Sequence, residues 1–215
     1  MRIAAIFTGR MQFLALDFET ATSQHDSPCE LGIAVVRDGV VREVHNWLIK
    51  PKYWPFFNPW NVHVHGIRPE DVCDSPCWAS IWNEVADLLE GSTVVAHNAA
   101  FDMSVLRATL ASDRLSHPNF KYFCSVGLSR KVWPGLPKYD LKSLCVQHGI
   151  PLRHHRASHD AQATAELMIK ALAGYPQMPV PSLLQGLKVK IGEFYPGGHR
   201  TPAGKITAVS FAEFA

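Results

Sequence analysis

The sequence predicts an α/β domain, a mixed sheet with helices on both faces. Three observations carry this. At 215 residues and 47% hydrophobic composition, the chain can bury a full core. Two β-patterned runs come first, joined by Asp38-Gly39, a strong signal for a tight antiparallel hairpin. After them, strand-like and helix-like segments alternate as far as Gly174.

In chain order, residues 1–11 are too short and too weakly apolar for a secretory or membrane segment, and are expected to be a disordered leader. Residues 12–19 are an almost continuous apolar run, as in a central strand covered on both faces. Residues 30–37 and 41–50 are the hairpin strands, and a proline- and aromatic-rich loop follows over 51–60. Ser75-Pro76 reads as an N-cap and first helical residue, because Trp78, Ile81, Trp82, Val85 and Leu89 keep helical spacing up to Gly91. Residues 93–96 and 122–124 are short strands; 101–110, 139–148 and 158–172 are helices, the last with Ser158 as its candidate cap. The domain is thus expected over 12–175. Prolines at 176, 179 and 181 mark residues 176–215 as a linker and tail, too short for a second core.

The net charge of +2 gives no global basic field that would announce nucleic acid. One local run is basic: Arg130, Lys131, Lys138, Lys142, Arg153 and Arg156 are countered only by Asp140. Phosphate binding and a plain solvated surface both account for it. Five cysteines at irregular spacing, without a signal peptide, suggest reduced thiols in a cytoplasmic protein. Trp54, Phe56, Phe57 and Trp60 could stack on single-stranded bases, but clustered aromatics are more often packed against the body, and packing is the expectation.

The informative residues are carboxylates in apolar positions. Asp17 and Glu19, two apart on a strand, point to one face with Cα atoms roughly 6.5 Å apart. The opposite face carries Leu14, Leu16 and Phe18. Asp102 falls on the helical stripe of Val105, Leu106 and Thr109, and Asp160 on that of Thr164 and Leu167. Each has an innocent explanation, as a solvated strand end or a first-turn acid that complements the helix dipole. Together, four converging carboxylates call for about two divalent cations. Oxygen-only donors suit Mg²⁺ or Mn²⁺. A pair of such ions activates water for in-line displacement at phosphorus. Zinc held by His154, His155 and His159 is the weaker alternative, since no thiolate accompanies them.

The motifs resemble those of the DnaQ-like, DEDD-type 3′-to-5′ exonucleases, which include the epsilon proofreading subunit of DNA polymerase III. Asp17-Phe18-Glu19-Thr20 resembles the first motif, His97 to Asp102 the second, and His155 followed by Asp160 the third. His65-Gly66-Ile67 is similar to an accessory motif beside the terminal nucleotide. Arg156 stands where one branch carries tyrosine, so the histidine branch fits.

The resemblance implies a ribonuclease H-like, three-layer fold with a five-stranded mixed sheet. It also implies a two-metal enzyme that releases nucleoside 5′-monophosphates from the 3′ end of a single strand, DNA before RNA, in proofreading or repair. Asp17, Glu19, Asp102 and Asp160 would hold two Mg²⁺ or Mn²⁺ ions, and His155 would be the general base. Glu19 and the Thr20 backbone would recognise the 3′-hydroxyl. Ile67 and Phe101 would pack on the last base, with Gly66 and Asn98 at the same subsite. Leu183, Leu184, Leu187, Lys188 and Lys190 suggest a tail that binds a DNA polymerase. An RNA-trimming exoribonuclease, a small-molecule phosphohydrolase and a non-catalytic nucleic-acid adaptor are the rival readings. No membrane association is expected.

Overall fold

The computed structural model describes residues 11–175 and 178–208. Its eight strands are β1 (Phe13–Thr20), β2 (Pro28–Arg37), β3 (Val40–Leu48), β4 (Thr93–Ala96), β5 (Phe120–Cys124), β6 (Ile191–Tyr195), β7 (Gly198–Arg200) and β8 (Ile206–Ala208). The helices are α1 (Pro59–His65), α2 (Trp78–Leu89), α3 (Ala100–Ser112), α4 (Ser125–Val132), α5 (Leu141–His148), α6 (Ala157–Leu172) and α7 (Val180–Gly186). The sheet order is β3-β2-β1-β4-β5-β6-β7-β8. β1 runs parallel to β4, and β4 to β5; the other neighbours are antiparallel.

Alternation along β1 divides the core. Leu14, Leu16 and Phe18 join Leu31, Ile33 and Val35 under α2 and α3, where Trp78, Trp82, Val85, Met103 and Leu106 are buried. Phe13 and Ala15 face the other way with Ala34 and Val36, beneath Ala161, Ala165, Leu167 and Met168 of α6. Asp17 and Glu19 continue this second parity towards the end of the strand.

The α/β class with helices on both faces is as expected, but the sheet has eight strands rather than five. The extra three come from residues 191–208, where strands of five, three and three residues are too short for a clear alternating pattern. β6 pairs with β5, and Gly192 there lies against Tyr122; a Cβ at this glycine would sit 2.2 Å from the ring. Leu183 and Leu184 of α7, named above for a polymerase-binding tail, are buried in the α6-side core, with Leu187 packed partly buried against it.

Residues 1–10 of the expected leader, and Pro176 of the linker, lie outside the described residues. Met11, by contrast, is buried, and its carbonyl accepts the N–H of Gly39. Three α-helices went unrecognised in the sequence. α1 begins at the end of the proline-rich loop with Asn58 as its cap, α4 is only eight residues long, and α7 is seven residues within the stretch read as linker and tail. Two expected caps are also corrected. α2 starts at Trp78, not at Pro76, and α6 starts at Ala157 after Arg156, with Ser158 inside the helix. Among the described residues, no helix is long and apolar enough to cross a membrane. All five cysteines are unpaired.

Candidate active site

β1 carries two of the acids. Its ladder with β4 is formed at Leu14 and Ala15, and β4 ends at Ala96, so the far end of β1 is unpaired on that side. Asp102, in the first turn of α3, fills the gap: its Oδ1 accepts the N–H of Phe18 at 3.1 Å. A buried backbone donor without a partner would otherwise cost about 1–3 kcal/mol. This bond brings α3's acid against the residue between Asp17 and Glu19.

The remaining acid comes from α6. Asp160 is buried, and its Oδ2 accepts the N–H of His155 at 3.0 Å, while Oδ1 is buried without a hydrogen-bond partner. Asp17, Glu19 and Asp160 each offer a carboxylate oxygen within 4.8 Å of the other two. All four predicted acids therefore converge at one end of β1. His154, His155 and Asp160 form a second group of potential ligands at the same spacing limit, and His159 lies outside it.

The electrostatics are those of crowded, desolvated like charges. Burial, then the Asp102, Glu19 and Asp160 carboxylates, hold Asp17 well above the ordinary carboxylate range. Burial and the charges of Asp160, Glu30 and Asp102 push Glu19 from 4.5 up to about 8, against a small opposing pull from Arg156. Asp102 is raised to about 7 by burial, with the Phe18 N–H working against it. Burial likewise lifts Asp160 to about 7, opposed by the His155 N–H. An oxygen-rich cage that resists ionisation, with an orphaned Oδ1 inside it, fits a hard dication, whose charge would reverse the repulsion.

His155 has φ of 67°, in the left-handed region, and its ring stacks on His154 with centroids 3.8 Å apart. Burial and the Lys142 charge lower its pKa from 6.5, so the imidazole is neutral at pH 7 and free to take a proton.

The expected substrate residues are distributed unevenly. Phe101 is partly exposed beside Asp102, with His25 edge-on to its ring at 5.8 Å. Asn98 is exposed, with φ of 66° in the turn before α3. Gly66 adopts φ of 75° to end α1. Thr20 is buried, and its carbonyl accepts from Asn61 Nδ2 at 2.9 Å. Ile67 corrects the expectation. It is only 2% exposed, packed with Ala21, Cys29 and Val72, and offers no surface to a base.

The aromatic loop is also a correction. Phe57 is buried, but Phe56 is 64% exposed and Trp60 72%, with Trp60 against His63 on α1. Trp54 is exposed, with Lys50 Nζ 4.3 Å from its ring centroid. Trp60 lies on the short α1, which composition alone could not show.

Three residues support the site; His65 was named in the accessory motif, and Asn61 and Glu30 were not singled out in the sequence. His65 Nδ1 accepts the Ile67 N–H at 3.0 Å, which leaves the ring proton on Nε2, 3.2 Å from the Thr20 carbonyl. Asn61 donates to the Thr20 and Thr22 carbonyls, with nothing in its neighbouring sequence to mark it. Glu30 is fully buried and takes both Arg156 and the Ala157 N–H. Its signal was available: an acid in the apolar run Cys29-Glu30-Leu31. His97, the first residue of the second motif, has its Nδ1 2.7 Å from Ser125 Oγ.

Residues 14–168 match the exonuclease family RNase_T. Among curated relatives, the 3′-5′ exonuclease DinG of Bacillus subtilis (strain 168) is 30% identical over 183 residues, which is 82% of this chain and 19% of that protein. The protein of the same name from Staphylococcus saprophyticus is 27% identical over 176 residues, 80% of this chain and 19% of the relative. The chain thus spans about a fifth of the length of these relatives. Among solved structures, exonuclease X in complex with 5′ overhanging duplex DNA superposes with a TM-score of 0.62 at 26% identity, covering 76% of this chain and 92% of that one. The nuclease domain of 3′hExo, a DEDDh family member bound to rAMP, has a TM-score of 0.66 at 14% identity, covering 79% and 95%, and shows the shared fold. With the family match covering β1 to α6 and all the motif acids inside it, the chain belongs to the exonuclease family, in its DnaQ-like 3′-to-5′ branch.

Proposed function

We propose that the chain removes nucleoside 5′-monophosphates from the 3′ end of single-stranded nucleic acid, with DNA as the preferred substrate. The observation that carries this is the meeting of Asp17, Glu19 and Asp160 oxygens within 4.8 Å, with His155 bonded to the third of them. Asp17, Glu19, Asp102 and Asp160 would hold two Mg²⁺ or Mn²⁺ ions. When bound, such ions make water nucleophilic and stabilise the leaving oxygen.

The chain's own side chains do the rest. His155, neutral at pH 7, accepts the proton of the attacking water. The water oxygen bonds to phosphorus, and the P–O3′ bond to the preceding nucleotide breaks. The products are a 5′-monophosphate and a strand one residue shorter with a new 3′-hydroxyl. Glu19 and the Thr20 backbone, fixed by Asn61 and His65, form the edge that meets the terminal 3′-hydroxyl. Phe101 gives the last base an exposed aromatic surface beside Asp102.

Single strands are favoured by the exposed Phe56 and Trp60. α1, which carries Trp60, is tied by Asn61 to the strand end next to Glu19. Stacking on such rings is worth about 1–3 kcal/mol per base and needs an unpaired base. DNA is favoured because exonuclease X, a solved relative at 26% identity, is in complex with 5′ overhanging duplex DNA. The test is hydrolysis of single-stranded DNA, single-stranded RNA and duplex, with Mg²⁺ and with chelator. Faster loss of single-stranded DNA, abolished by chelator, is expected. Preference for RNA, or for free nucleotides in competition, overturns the substrate assignment.

A further inference from the structure

The β1–β2 ladder sets the two strand acids opposite two particular residues: Asp17 pairs with Gly32, and Glu19 with Glu30. Both β2 residues act on the start of α6. A Cβ at Gly32 would lie 2.2 Å from the carbonyl carbon and oxygen of Ala157 and 2.3 Å from the Ser158 nitrogen, so the helix terminus rests directly on the strand backbone. Glu30, fully buried, has no oxygen to spare. Oε1 accepts from Arg156 Nε at 3.3 Å and Nη2 at 2.9 Å, and Oε2 accepts the Ala157 N–H at 3.0 Å. A fifth acid beside the cluster is therefore committed to the two residues that follow His155.

His155 itself needs such support. Its left-handed backbone is costly for any residue with a side chain and persists only where neighbours over-determine it. On one side lies the irregular segment 150–154; on the other lies Arg156. The single bond from the His155 N–H to Asp160 fixes the amide but not the exit of the chain. Arg156 holds that exit in two ways: two guanidinium nitrogens meet one buried Glu30 oxygen, and its carbonyl accepts the His159 and Asp160 N–H groups that open α6.

We infer that the Glu30–Arg156 ion pair is a positioning device that holds His155 in its left-handed conformation over the carboxylate cluster. The inference rests on the reading of His155 as general base. It also gives Arg156 a role in the site, where the sequence marked it as a member of a basic run and as a position lacking tyrosine.

The test is a double-mutant cycle on the full chain, with steady-state hydrolysis of a single-stranded oligonucleotide. Arg156→Gln should lower kcat about tenfold while KM changes less than about threefold, a part of the roughly 10²-fold or larger contribution of a positioned base. In a His155→Ala background the same substitution should cost less than about twofold, because the group it positions is gone. Arg156→Lys should recover part of the loss in the otherwise unchanged chain. If Arg156→Gln unfolds the domain by stranding the buried Glu30 charge, the paired Glu30→Gln/Arg156→Gln change replaces it in the cycle. Equal losses in both backgrounds, or none in the first, overturn the positioning role and leave the general base intact. Undiminished turnover in His155→Ala alone instead overturns the base, and the positioning role with it.

Discussion

Asp102 Oδ1 accepts the backbone N–H of Phe18 at 3.1 Å, so one carboxylate both completes the end of a strand and adds charge to the acidic cluster. The two roles are separable. Asp102→Asn keeps an acceptor oxygen for Phe18 and should retain metal-free stability while turnover collapses. Asp102→Ala leaves that donor unpaired and should be less stable than Asp102→Asn by about 1–3 kcal/mol, read as a difference in denaturant midpoints. Equal stability of the two variants would remove the structural role.

Asp17→Asn should abolish turnover, a loss of about a thousandfold or more, in line with the several kcal/mol that a bound dication contributes. Its metal-free melting temperature should be unchanged or higher. Burial and four neighbouring acids already disfavour the Asp17 carboxylate, and neutralising it relieves that repulsion. A clearly lowered metal-free melting temperature would contradict this account of the cluster.

His155→Ala should reduce turnover by about 10²-fold or more while calorimetric Mn²⁺ affinity changes little, because a general base need not be a ligand. Equal losses in turnover and metal affinity would make His155 a ligand, as its place beside His154 and Asp160 would then allow.

The cluster also fixes a pH dependence for the metal-free protein. Glu19 is raised from 4.5 to about 8, and Asp102 and Asp160 from 3.8 to about 7. Acids with raised folded-state pKa values keep protons that the unfolded chain has lost. Their contribution is therefore fully present below about pH 4 and is lost as pH rises through about 7 to 8. Over that interval, metal-free stability should fall relative to Asp17→Asn, and added divalent cation should restore it with release of protons. A metal-free stability that rises across the same range would contradict the assigned shifts.

Much of this site was legible because carboxylates stand out against apolar periodicity. Asp17 and Glu19 kept the parity of one strand face, and Asp102 and Asp160 lay on buried helical stripes, so periodicity alone turned all four towards the core. Their supports were hidden for different reasons. Asn61 reaches Thr20 across 41 positions, and a polar residue on a seven-residue helix has too little periodicity around it to stand out. Ile67 looked available because its motif suggested a substrate contact, but its neighbours Ala21, Cys29 and Val72 come from elsewhere in the chain. Strands β6 to β8 were missed because pairing with β5, rather than local sequence, stabilises such short segments.

The central claim is directional hydrolysis from a 3′ end by this carboxylate cluster. The most direct measurement is a time course on a single-stranded DNA oligonucleotide labelled at its 5′ end, with Mg²⁺ present. A ladder of 5′-labelled strands shortening one nucleotide at a time, with unlabelled 5′-monophosphates released and no reaction by Asp17→Asn, is the predicted result. Release of the label as a mononucleotide at the earliest times, or no hydrolysis by the unaltered chain, would contradict it.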